Sequence, residues 1–165
     1  MDEEEQFRQI PEFMMYAVSN YGRVINLKSG REMTYSPTQY GDLTVGMMKN
    51  GKQWRRSVKV LVAKAWVPGE SLIFDTVINK DSDRRNNHYT NLAWRPRWFA
   101  WKYHHQFYAP PTWAHHGPVM CVETQYVYDS IGAVAVEEGV MMDDVRKSIT
   151  FGTRVFPTGH TYKFG

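Results

Sequence analysis

The sequence predicts a mixed α+β protein made of small modules, with a β-rich, antiparallel N-terminal part and paired short helices near the C-terminus. Three observations carry this reading. Short apolar stretches from Phe13 to Trp54 are cut by turn residues. The pattern after Ser57 changes to a helical period. Two further helical runs flank Gly139. A length of 165 residues suffices for one medium core or two small ones.

In order along the chain, Tyr16-Ala17-Val18-Ser19 reads as a strand, Asn20-Tyr21-Gly22 as a turn, Arg23 to Leu27 as a second strand, and Lys28-Ser29-Gly30 as its exit. Asp42 to Met48 places Leu43, Val45 and Met47 on one face, and Lys49-Asn50-Gly51-Lys52 turns the chain back. Ser57 is expected to cap a helix whose stripe is Val58, Leu61, Val62, Ala65 and Trp66, ending at Pro68-Gly69. Ile73 to Ile78 is a further strand, and Asn79 to Asn91 a polar loop. Pro96 opens a helix that runs to about Tyr108, where Pro110-Pro111 stops it, and Ala109 to Pro118 reads as a linker. Beyond it, Val119 to Val122 and Thr161 to Phe164 are strands, and Ser130 to Glu138 and Met142 to Ile149 are helices. The expected modules are 6–68, 69–108 and 119–165, with 109–118 between the last two.

The hydrophobic share of 42% and charged share of 22% are those of a folded water-exposed protein, whereas 15% aromatic is high. A single cysteine, Cys121, excludes an internal disulfide framework and a cysteine-based zinc site, and points to a reducing, cytoplasmic setting. The acidic start is followed by no apolar run of signal or membrane-span length, so no membrane association is expected. The net charge of +3 conceals an asymmetry. Residues 6–68 hold ten Lys and Arg against three Asp and Glu, and residues 119–165 hold four against six. Such a basic first half suits either a phosphate-contacting surface or a solvated basic face.

The segment Val77-Ile78-Asn79-Lys80-Asp81 through Asn86-Asn87-His88-Tyr89-Thr90-Asn91-Leu92-Ala93-Trp94 resembles the core of HNH nucleases, in Lys80, Asp81, the Asn86-Asn87 pair, Asn91, Leu92 and Trp94. Residues 10 to 28 look like the nuclease-associated module of phage-intron homing endonucleases, and 119 to 164 look like their C-terminal helix-turn-helix, with Ala135 and Gly139 at the spacing of a close turn. The resemblance implies a ββα core that grips Mg²⁺ or another divalent ion and hydrolyses DNA phosphodiesters. It also implies a phage source and hence a host cytoplasm.

On that resemblance the catalytic positions are Asn79, where the family has the histidine base, and Asn91, which steadies the loop. An amide accepts no proton at useful pH, so general-base catalysis is expected to be lost. The metal-ligand positions hold Ile78 and Ala100, neither with a donor atom in its side chain. His104, one turn beyond Ala100, and the carboxylates of Asp81 and Asp75 are the substitutes the chain offers. His88 reads as loop packing, and His115, His116 and His160 as solvated or packing residues. Trp98, Phe99 and Trp101 read mainly as core, with base stacking the alternative.

The expected DNA contacts are Arg23, Lys28, Lys49, Lys52, Arg55, Arg56, Arg84 and Arg85, with Arg146 and Lys147 on the last helix. Asp143-Asp144 would oppose phosphates there unless they cap that helix. The expected function is therefore double-stranded DNA binding by an HNH homing-endonuclease relative with impaired or lost catalysis. The alternative is a non-enzymatic regulator or subunit of a nucleoprotein assembly, with residues 119–165 serving RNA or a protein partner.

Overall fold

Chain segments that alternate apolar and polar residues between glycine and asparagine turns pair here as short antiparallel ladders. In the computed structural model, which describes residues 3–165, strands β1 (Phe7–Ile10), β2 (Phe13–Ser19) and β3 (Val24–Asn26) form one sheet in that order. Strands β4 (Tyr35–Pro37), β5 (Leu43–Lys49) and β6 (Lys52–Ser57) form a second. Helix α1 (Val58–Trp66) follows directly, and β7 (Thr76–Asn79) pairs with β8 (Leu92–Arg95) as a two-stranded hairpin. These elements make one compact unit, residues up to Asn79 together with Asp83–Arg97.

Its core gathers one face of each element. Phe13, Tyr16 and Val18 from β2, Val45 and Met47 from β5, and Val77, Leu92 and Trp94 from the hairpin surround Val58, Leu61 and Val62 of α1. The Tyr16 hydroxyl accepts the Met48 N–H at 3.0 Å, tying the first sheet to the second. The Trp94 indole N–H donates to the Val67 carbonyl at 3.0 Å, which fixes the hairpin to the end of α1.

The second unit comprises Lys80–Ser82 and Trp98–Gly165. It contains most of α2 (Arg97–His105), then β9 (Val119–Cys121), β10 (Val127–Tyr128), α3 (Ile131–Glu138), α4 (Met142–Phe151) and β11 (Tyr162–Phe164), with β9 central in the sheet. Ser130 caps α3 by accepting the Ala133 N–H at 3.1 Å. Gly139 ends α3 in the left-handed region (φ 67°), and its N–H reaches the Ala135 carbonyl at 2.8 Å, so the Ala135–Gly139 spacing does form a tight turn between helices.

Several expectations are corrected. Ser57 stands at the start of α1, but its buried hydroxyl makes no capping bond. The strand expected from Ile73 begins only at Thr76; Ile73 itself is 69% exposed. The helix from Pro96 stops at His105, short of Tyr108. Within Ala109 to Pro118 lies a 3₁₀ turn, Thr112–His115, whose Ala114 is buried in the second core. Trp98 and Trp101 are exposed; only Phe99 of the three aromatics is core. Among the described residues no helix is long and apolar enough to cross a membrane.

Ser148 is the one buried polar residue of α4, and its hydroxyl accepts the Tyr162 N–H at 2.9 Å, joining helix to sheet. Ser148→Ala leaves that buried N–H without its acceptor and is expected to cost about 1 to 3 kcal/mol. Urea unfolding followed by circular dichroism measures this, and an unchanged midpoint would show that the serine does not hold β11.

Candidate functional site

The β7–β8 register pairs Asn79 with Leu92, Ile78 with Ala93 and Val77 with Trp94. Paired residues of an antiparallel ladder share a face, so Asn79 lies on the same side as Val77, Leu92 and Trp94. All four are buried. Burial of Leu92 and Trp94 is what the motif requires.

Asn79 is fully buried, and its amide is spent on the loop that follows. Nδ2 donates to the Asn86 carbonyl at 2.9 Å and to Asn87 Oδ1 at 3.1 Å. Asn91 Nδ2 donates to the same Asn86 carbonyl at 2.9 Å. Two amides from opposite ends of the loop therefore converge on one acceptor. Asn79 Oδ1 is buried without a hydrogen-bond partner among the described residues.

His88 is a cap. Its Nδ1 lies 2.8 Å from the Thr90 hydroxyl and accepts the Thr90 N–H at 3.3 Å, opening a 3₁₀ turn at Tyr89–Asn91. Its ring stacks on Tyr21 and Tyr89. The Tyr89 N–H donates to the Asn20 carbonyl at 2.9 Å, so the loop leans on the β2–β3 turn. Gly22 is required in that turn: at φ +91°, an added Cβ would stand 3.0 Å from Asn87.

The remaining site positions fall as follows. Ile78 is fully buried and Asp75 is exposed, accepting from its neighbour Thr76. In the second unit, Ala100 and His104 are both buried on α2, His104 edge-on to Tyr103, and Asp81 is half-buried. The Tyr103 hydroxyl stands within hydrogen-bond distance of the Lys80 and Ala135 carbonyls. A hard divalent cation needs several oxygen or imidazole ligands. Ile78 supplies none, Asn79 supplies one amide oxygen, and among the described residues no three His, Cys, Asp or Glu gather where an ion could sit. The donor set does not fit such an ion.

The basic residues divide by what already holds them. Arg23 pairs with Glu5 and Glu32, Arg56 with Glu12, and Arg84 with Asp42. Arg146 and Lys147 are both taken by Asp143, at 2.7 and 3.0 Å. That pairing corrects the expectation of a cap, because the residue before α4 is Met141 and no side chain caps it. Burial raises the Asp144 carboxyl above its ordinary value against the opposing pull of Lys147. Lys28, Lys49, Lys52, Arg55 and Arg85 are exposed and make no ion pair among the described residues. Arg55 and Arg56, adjacent in sequence, point to opposite faces of β6, Arg55 toward Thr44 and Arg56 toward Glu12. Glu12 was not visible as a partner in the sequence, because it lies 44 positions from Arg56, whereas Asp143 stands at the helical i,i+3 and i,i+4 spacing from Arg146 and Lys147 that signals such a pair.

Comparison with known proteins agrees with this arrangement. Residues 5–47 match the NUMOD4 motif. Over 81 residues the chain is 37% identical to DNA endonuclease I-HmuI of Bacillus phage SP01, covering 48% of this chain and 45% of that protein. Over 89 residues it is 32% identical to the HNH endonuclease L245 of Acanthamoeba polyphaga mimivirus, covering 54% and 26%. The chain thus spans under half the length of these curated relatives. The solved structure of DNA binding and cleavage by the HNH homing endonuclease I-HmuI superposes with a TM-score of 0.57, covering 97% of this chain and 98% of that one at 23% identity, a likeness of fold. In the NUMOD4 motif of its first part, in these partial matches and in its fold, the chain is similar to HNH homing endonucleases.

Proposed function

We propose that the chain binds double-stranded DNA on an HNH nuclease frame in which phosphodiester hydrolysis is impaired or lost. The observation that carries the loss is the state of Asn79. Both of its N–H groups are donated into the loop, and its oxygen is an amide oxygen that takes no proton near neutral pH. A general base is worth about 10² to 10⁴ in rate, and Ile78 beside Asn79 brings no donor atom for an ion. DNA binding rests on the exposed Lys28, Lys49, Lys52, Arg55 and Arg85, and on the I-HmuI relative, a DNA endonuclease by name. In this reading residues 6–68 supply most phosphate contacts, and the phage relative supports action in a host cytoplasm.

A second reading concerns residues 119–165 alone. Asp143 engages both Arg146 and Lys147 on α4 and offsets part of their charge, which favours a protein partner over phosphate for that surface and fits a regulator or assembly subunit.

Three outcomes are expected. Duplex affinity falls steeply with salt, and Lys49→Ala with Lys52→Ala weakens binding to all sequences alike, flattening the log–log salt slope by about 1 to 2. Salt-independent binding would count against the proposal. Asn91→Ala costs about 1 to 2 kcal/mol in thermal or urea unfolding, because the Asn86 carbonyl loses one of its two donors. Finally, the parent chain nicks supercoiled plasmid weakly or not at all in Mg²⁺ or Mn²⁺, and Ile78→Asp, Asn79→His and Ala100→Asn together raise nicking. Efficient nicking by the parent, abolished by His104→Ala, would place the chemistry elsewhere.

A further inference from the structure

A cleft of about 350 Å³ opens on the first unit, lined by Glu12, Phe13, Lys49, Lys52, Trp54 and Arg56. Its volume lies within the range of small-ligand sites, about 300 to 1,000 Å³. The strand register brings these groups together. Lys49 pairs with Lys52, Met47 with Trp54 and Val45 with Arg56, so the basic and aromatic side chains share the face of the buried Val45 and Met47. The β5–β6 turn that allows this needs positive φ at Asn50 and Gly51.

The two aromatic walls differ. Phe13 is 2% exposed and belongs to the core, whereas Trp54 is 43% exposed and offers its ring to solvent. The Arg56 guanidinium sits 5.2 Å from the Phe13 ring centre and 5.7 Å from that of Trp54, and the Lys49 ammonium lies 5.7 Å over Phe13. Arg56 is steadied by Glu12 at 2.5 Å, and that guanidinium holds the Glu12 carboxyl below its usual range. Glu12 thus stands as an internal anion where three cations converge.

We propose that this cleft is a subsite for one unpaired nucleotide, its base stacked on Trp54 and its phosphate taking the place of the Glu12 carboxylate on Arg56, Lys49 and Lys52. The inference deepens the DNA-binding reading and rests on it. A simple phosphate site has no use for an open indole face, and a purely apolar ligand would not draw three cations. Bases inside a duplex are covered by their neighbours on both faces, so Trp54 can stack only on a base that has left the helix. Phosphate contacts alone would not distinguish such a base from a paired one.

The test uses the full chain and two duplexes of one sequence, the first fully paired and the second carrying a single bulged 2-aminopurine nucleotide. The wild-type chain binds the bulged duplex about tenfold more tightly, the scale of one base stacked on an aromatic ring, and quenches the 2-aminopurine emission. Trp54→Ala brings the ratio of the two affinities near one and abolishes the quench, while Trp54→Phe, which keeps a ring, retains part of both. Glu12→Gln strengthens binding of the bulged duplex severalfold; no gain would overturn the placement of the phosphate. Equal binding of the two duplexes by the wild type, or a preference that survives Trp54→Ala, overturns the subsite and leaves DNA binding standing. Failure to bind either duplex at low salt overturns both.

Discussion

Nine residues of α1 must present apolar surface in several directions at once, because β2, β5, β6, β7 and β8 all pack against this one short helix. Val58, Val62 and Ala63 are fully buried and Leu61 nearly so. A helix of this length is marginal by itself, so it persists only because the sheets cover it, and the sheets in turn share it as a common core beside their direct contact at Tyr16 and Met48. Full burial of an aliphatic side chain is worth about 1.5 to 3 kcal/mol, and three such side chains within two turns outweigh the missing hydrogen bond at Ser57.

The polar counterpart of that core is Asp42. Its two oxygens hold Lys59 of α1 at 2.8 Å and Arg84 of the asparagine loop at 3.0 Å, with all three side chains less than a quarter exposed. A half-buried triad binds its members more firmly than an exposed pair, because water screens it less. Arg84 is thereby committed to joining the loop and α1 to the residue that leads into β5. Gly22 against Asn87 and the Trp94 indole on Val67 complete the attachment of the loop. The loop is thus held by residues far outside the motif that marks it.

What was legible in the sequence followed from local pattern. The α1 stripe, the helix after Ser130, the Gly139 turn and the β2, β5 and β9 strands each rest on residues near one another in the chain, and each formed. Strands β1, β4 and β10 were not foreseen, because two to four residues carry too little alternation to register and their existence depends on a partner strand. The basic residues misled in a different way. Composition counts charges but not their partners, and Glu5, Glu12 and Asp42 meet theirs only once the chain is folded. Aromatic character alone predicts Trp98 and Trp101 in the core, yet on α2 the inward positions go to Phe99, Ala100, Tyr103 and His104.

At position 79 the loop and the chemistry make opposite demands on one side chain. A neutral histidine has one N–H and one acceptor nitrogen, so it can give the loop at most one hydrogen bond while keeping a lone pair for a proton. Asparagine gives two N–H groups, one to Asn86 and one to Asn87, and its oxygen is left buried and unsatisfied, at a cost of about 1 to 3 kcal/mol. The loop therefore gains a donor from the same amide that, on the function proposed above, leaves the site without a base. Because Asn91 grips the same Asn86 carbonyl from the other end, the loop does not depend on position 79 alone. That redundancy keeps the asparagine scaffold closed from both ends, so closure of the loop places no demand on position 79 that Asn91 does not share.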